Sequence, residues 1–84
     1  MSTRSKLFAA IKNNPKNVRF DDLTSLIKGL GWKLTRQTGS HQRFDHAVHA
    51  SSQFTLQYDK NGMAKEYQVK QVLEAIAALK IEVK

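Results

Sequence analysis

The chain has no cysteine and a single proline among its 84 residues. Without cysteine there is no disulfide to reinforce a small core, no thiolate metal site and no thiol nucleophile. Its absence fits a reducing compartment. No apolar run is long enough to cross a bilayer. The first residues, Met1-Ser2-Thr3-Arg4-Ser5-Lys6, lack the apolar stretch of a secretion signal. A cytoplasmic protein is therefore expected. Acidic side chains are scarce. Seven Asp and Glu face fourteen Lys and Arg, giving a formal charge of +7. So positive a field on so short a chain attracts polyanions. Nucleic acid comes first among them, an acidic protein second and an anionic membrane third.

What is present divides into helices first. The length suits one domain over 1–84, with residues 1–16 as an N-terminal extension. Leu7, Phe8 and Ile11 share one side of a short helix over Ser5 to Asn13, which Pro15 stops because a residue before proline disfavours the helical region. Leu23, Leu26, Ile27 and Leu30 recur at helical spacing and predict a helix over Asp21 to Leu30. Asp21 and Asp22 suit its start, as cap and as charges facing the positive end of the dipole. Gly29 and Gly31 suit its end. A last helix is expected from about Tyr67 to Leu79, with Val69, Val72, Leu73, Ile76 and Leu79 as its stripe. The residues after it look frayed or briefly extended.

Between these helices the pattern alternates. Trp32 and Leu34 take one face of a first strand, with Lys33, Thr35 and Gln37 on the other. Thr38-Gly39-Ser40 is a turn. A second strand runs from His41 to Asp45 with Phe44 inward, and a third from Gln53 to Tyr58 with Phe54, Leu56 and Tyr58 inward. Trp32 and Phe44 read as core by their parity rather than as bases' stacking partners. Asp59-Lys60-Asn61-Gly62 is a turn. The order α-α-β-β-β-α is an α+β domain, with helices covering one face of a three-stranded antiparallel sheet.

The hairpin Arg36-Gln37-Thr38-Gly39-Ser40-His41-Gln42-Arg43-Phe44 carries the chemistry. Parity turns His41 and Arg43 to the solvent side, near Arg36 and Lys33. Imidazole exchanges a proton near neutral pH, and neighbouring cations favour its neutral, proton-accepting form. The same cations hold phosphate and stabilise the charge that develops in phosphoryl transfer. RNA places a 2′-hydroxyl beside each phosphate. A base that removes that proton lets the oxygen attack phosphorus with no metal. In this reading His41 is the general base, and Arg43 or a nearby lysine is the phosphate clamp. Ser40 orients His41 or the substrate. Taken alone, a surface histidine beside arginines is more often an ordinary solvated residue. His46 and His49 do not complete a known metal-ligand spacing with His41, so no metal is expected. Lys65 and Lys70 suit either phosphate contact or the solvated side of the last helix.

Several blocks together resemble the HicA toxin family. They are Asn17-Val18-Arg19-Phe20-Asp21-Asp22-Leu23, the helix ending Leu30-Gly31-Trp32, the hairpin Gly39-Ser40-His41-Gln42-Arg43-Phe44, and Asp59-Lys60-Asn61-Gly62-Met63-Ala64-Lys65 followed by Tyr67-Gln68-Val69-Lys70-Gln71-Val72-Leu73. Gly-Ser-His before an aromatic is the family's hallmark. The extension before Asn17 resembles a variety of the family with a longer N-terminus. The resemblance implies a fold like that of the double-stranded-RNA-binding domain. It implies an mRNA-cleaving toxin of a type II toxin–antitoxin system that needs no cofactor. His41 falls at the catalytic position. Gly39, Ser40, Arg43, Arg36, Lys33, Lys65 and Lys70 are the expected RNA contacts. The implied partners are mRNA and a HicB-type antitoxin, with no membrane. Relatives often carry proline soon after the hairpin aromatic, and near the positions of Tyr58 and Glu66. Here Phe44 is followed by Asp45-His46-Ala47. Asp45 shares the parity of His41 and Arg43, so it either pairs with Arg43 or orients an imidazole. Two other functions fit the pattern: a non-catalytic RNA-binding module of the same fold, and a protein-interaction domain kept for its antitoxin.

Overall fold

The computed structural model describes residues 3–83. Met1, Ser2 and Lys84 lie outside the described residues, so the two chain ends named above are covered only in part. Six elements follow in order: α1 (Thr3–Asn13), α2 (Phe20–Gly29), β1 (Trp32–Thr38), β2 (His41–His46), β3 (Gln53–Gln57) and α3 (Glu66–Ala78). The class is α+β, with three helices and a three-stranded antiparallel sheet in the order β1-β2-β3.

Helical spacing makes the core. Leu23, Leu26 and Ile27 of α2 and Val69, Val72 and Ile76 of α3 are buried against Trp32, Phe44, Phe54 and Leu56 of the sheet. Burying each such side chain contributes roughly 1.5–3 kcal/mol before conformational entropy is counted. Ile11 of α1 is buried in the same cluster, and Leu7 and Phe8 pack on its edge. After α3 the chain leaves the helix at Lys80, where φ is +54. Ile81 and Val83 fold back against the core.

The start of α2 differs from expectation. Its N-cap is Arg19, which makes no side-chain cap bond. Asp21 is therefore not a cap. It and Asp22 lie in the first turn and act there as charges at the positive end of the dipole. A long-range bond anchors this end, with the Phe20 N–H donating to the Gly62 carbonyl at 3.0 Å. Beside it the Ala64 N–H donates to the Val18 carbonyl at 2.8 Å. The turn at 59–62 thus holds the segment leading into α2. That turn is built by Asp59, whose Oδ1 accepts the N–H groups of Asn61 and Met63 at 2.8 and 2.9 Å.

Strict alternation does not hold along β1. A bulge at Thr35 separates the pair Leu34–Phe44 from the pair Arg36–Arg43. One extra residue sends every later side chain to the opposite face. Gln37, expected beside Lys33, instead pairs with Gln42 on the helix-covered side. Arg36 lies on the outer side beside Arg43, where the hairpin reading placed it although strict alternation would turn it inward. Leu34 shares the face of Phe44 but sits on an edge strand, and it is 40% exposed rather than buried.

Candidate active site

Cross-strand partners project from the same face of a sheet. The register therefore defines the outer face as Lys33, Arg36 and Thr38 from β1, His41, Arg43 and Asp45 from β2, and Gln53, Thr55 and Gln57 from β3. It carries no large apolar side chain and is dominated by cations. His41 opens β2 on the central strand, exposed to solvent, between Thr38 and Gln57.

A two-residue loop places His41 there. Gly39 and Ser40 join β1 to β2, and Gly39 has φ +59. A glycine at the first position of such a loop gives the tight hairpin whose twist matches the strands. The space around Gly39 is open, so the backbone at the tip is accessible to a ligand.

A chain of amide side chains gathers the rest. Gln57, directly opposite His41, donates from Nε2 to the Ser40 hydroxyl oxygen at 3.3 Å. Its Oε1 accepts from the Lys65 ammonium, also at 3.3 Å. Gln68 secures Gln57 from α3. Its Oε1 accepts the Gln57 N–H at 2.9 Å, and its Nε2 donates to the Thr55 carbonyl at 3.3 Å. Gln68 is 5% exposed, the polar member of an otherwise apolar helix face. Ser40, His41, Gln57 and Lys65 thus share one end of the sheet, although Lys65 lies far along the chain from the hairpin.

Gln57 and Gln68 were not singled out from the sequence. The available signal was weak: a glutamine beside the α3 stripe, and a glutamine between Leu56 and Tyr58. Neither shows its partner until the strands are paired.

Arg36 and Arg43 face each other across β1 and β2. Like charges directly opposite on a sheet repel. Asp45 relieves part of this repulsion. Arg43 Nε lies 3.3 Å from Asp45 Oδ1, and Arg43 Nη2 donates to Gln53 Oε1 at 2.7 Å. Of the two roles open to Asp45, the geometry gives it the pairing with Arg43. Arg36 and Lys33 have no ion-pair partner among the described residues. Lys70 stands apart from this group and pairs with Glu66 one turn back at 3.2 Å.

The other two histidines do different work. His46 is a core residue, 8% exposed, with its ring edge-on to Trp32 at 4.5 Å. Its Nε2 lies 2.9 Å from the Leu30 carbonyl, and its Nδ1 accepts the N–H groups of Val48 and His49, each at 3.0 Å. Two donors aimed at Nδ1 and one acceptor at Nε2 assign the neutral tautomer with its proton on Nε2. The ring pins the loop after β2 to the end of α2. Among the described residues, no three His, Cys, Asp or Glu side chains are grouped to hold a metal. No helix among them is long and apolar enough to cross a membrane.

A small α+β domain with a histidine on a cationic, solvent-facing sheet is the class that fold and site define. The family described as HicA toxin of bacterial toxin–antitoxin systems matches residues 20–77, and the chain belongs to that family. No curated protein and no solved structure matches the chain. The match begins where α2 begins, so α1 precedes it. As a toxin of such a system the protein has an antitoxin as its partner.

Proposed function

We propose that this toxin is a metal-independent endoribonuclease that cleaves mRNA in the cytoplasm. The observation that carries the reading is the outer sheet face. His41 stands on it beside an opposed Arg36–Arg43 pair, with Lys65 tied in through Gln57. A phosphate bridging Arg36 and Arg43 relieves their repulsion, so that surface is matched to an anion.

In the proposed reaction the neutral His41 imidazole takes the proton of a 2′-hydroxyl. The freed oxygen attacks the adjacent phosphorus. The bond from phosphorus to the 5′-oxygen breaks, and that oxygen takes up a proton as it leaves. The products are a 2′,3′-cyclic phosphate and a 5′-hydroxyl. Arg36, Arg43 and Lys65 hold the phosphoryl oxygens, with Lys33 at the margin of the face. Gly39 admits the strand to the hairpin tip, and Ser40 is the positioning residue nearest His41. Lys70, paired with Glu66, has the smallest part. A HicB-type antitoxin with an acidic or amphipathic surface covers this face and blocks RNA.

The test is induced expression of wild type beside His41→Ala, reading growth and mRNA integrity. Arrest with mRNA loss in wild type alone is expected. Equal toxicity and equal RNA loss in the variant refute the assignment. A substrate with deoxyribose at the cut position should resist cleavage. Among the described residues no side chain holds the His41 imidazole in place, and this favours a second reading, a non-catalytic RNA-binding module. RNA bound but left intact by the purified wild type would select that reading.

A further inference from the structure

The side of the sheet away from His41 is covered by helices, but not at its end. Gln42 follows His41 and points to that side, and Tyr58 lies diagonally across from it, two residues past Leu56. A pocket of about 320 Å³ opens beside them, lined by Arg19, Phe20, Asp21, Gln42, Tyr58 and Gly62. That volume is at the small end for ligand pockets.

Its wall is aromatic. The Phe20 and Tyr58 rings pack edge to face with centroids 5.2 Å apart. Phe20 is buried and fixed, while Tyr58 is half-buried and presents ring surface to the pocket. Gly62 contributes no side chain, and the place a Cβ would take is open space.

The rim is polar and unengaged. Among the described residues, the side chains of Arg19, Asp21 and Gln42 have no hydrogen-bond or ion-pair partner. Arg19 offers donors only, Asp21 acceptors only, and the Gln42 amide both. Their charges cancel. This separates the pocket from the outer face, where unbalanced cations suit phosphate. A neutral slot with a ring wall and mixed donors and acceptors matches the flat, uncharged edge of a nucleobase. Guanine fits the charges best. Its O6 and N7 accept from an arginine, and its N1–H and N2–H groups donate to a carboxylate.

We propose that this pocket takes a nucleobase of the bound RNA, guanine by preference, and so sets where the strand is cut. The proposal rests on the ribonuclease reading for its substrate. The pocket and His41 occupy successive residues of β2 on opposite faces at one end of the sheet, so a strand passing that end meets both.

The experiment is an NMR titration of the labelled full chain with free guanosine, adenosine, cytidine and uridine, none of which carries a phosphate. Guanosine is expected to shift the backbone signals of Gln42, Tyr58 and Gly62. Arg19→Ser should weaken its binding about tenfold, the loss of one good base contact. Asp21 is exposed, so Asp21→Asn gives a second variant that keeps the fold and should weaken guanosine likewise. Silence of these signals towards all four nucleosides overturns the pocket, and an equal response to all four overturns the guanine preference. Cleavage of mixed-sequence RNA separates this proposal from the ribonuclease reading. A guanine bias that Arg19→Ser flattens supports it, and unbiased cutting by wild type overturns it while leaving the ribonuclease standing. If wild type cuts nothing, the nucleoside titration alone decides the pocket.

Discussion

Replacing Gln68 tests whether the site is held together from behind. Its side chain is 5% exposed and makes three hydrogen bonds, to the Gln57 N–H at 2.9 Å and to the Thr55 carbonyl and Tyr67 hydroxyl at 3.3 Å each. Gln68→Met keeps the length of the side chain and removes every polar contact. The two longer bonds are weak. The larger effect is the Gln57 N–H left without an acceptor, and an orphaned, covered donor costs about 1–3 kcal/mol. With the lost bonds the total comes to about 2–3 kcal/mol. A chain of this size has roughly 4–12 kcal/mol in all. The melting temperature should therefore fall by about 10–20 °C, read by circular dichroism. Cleavage should fall further than RNA affinity at a temperature where the variant is folded. Lys65 and Ser40 are both bonded to Gln57, whereas most of the proposed phosphate contacts are not. A Gln68→Met protein that melts within about 4 °C of wild type would refute the account, because that corresponds to less than one typical hydrogen bond.

Three further outcomes follow from the same geometry. Asp45→Asn breaks the ion pair with Arg43 and should raise RNA affinity at low salt, with a steeper fall as salt increases; unchanged affinity and salt slope would remove Arg43 from the clamp. His46→Phe keeps a ring against Trp32 but strands the Leu30 carbonyl and the Val48 and His49 N–H groups, so a loss of about 2–4 kcal/mol is expected in a urea melt, and a loss below about 1 kcal/mol would show that water replaces the imidazole. The Met63 N–H, with that of Asn61, holds the Asp59 carboxyl below its ordinary value, so the stability it contributes is present above the ordinary carboxylate range and is lost as pH falls through the lowered folded value. Asp59→Asn should therefore flatten the acid limb of a melting-temperature profile, and an unchanged acid limb would move that limb to other carboxylates.

The parts of this protein that the sequence exposes are those decided by neighbours along the chain. Leu23, Leu26 and Ile27, or Val69, Val72 and Ile76, mark a buried helix face because four residues return the backbone to the same side. Trp32 and Phe44 are core by parity for the same kind of reason. His41 is legible as an outward residue since it lies an odd number of steps from Phe44 on a strand with no irregularity. Parity fails for Arg36 and Gln37 because the bulge at Thr35 changes the count, and nothing in Leu34-Thr35-Arg36 announces it. Leu34 has the right parity and stays exposed because edge position is a property of the sheet.

His46 and Gln68 mark a different limit. Both are polar residues whose burial depends on partners distant in the chain: the Leu30 carbonyl for His46, and the Gln57 N–H for Gln68. A buried polar side chain is stable only when its bonds are met, so its place is set by tertiary pairing and not by its own type. The bulge and the glutamine pair together decide what surrounds His41. One turns Arg36 to the outer face, and the other brings Lys65 to it. Without the bulge, and with Leu34 still opposite Phe44, Arg36 would lie on the helix-covered side and Arg43 would face Thr35, with no opposing cation. The anion site proposed here is thus a product of one irregular residue in β1 and one buried amide in α3, acting on a histidine whose own position needs neither.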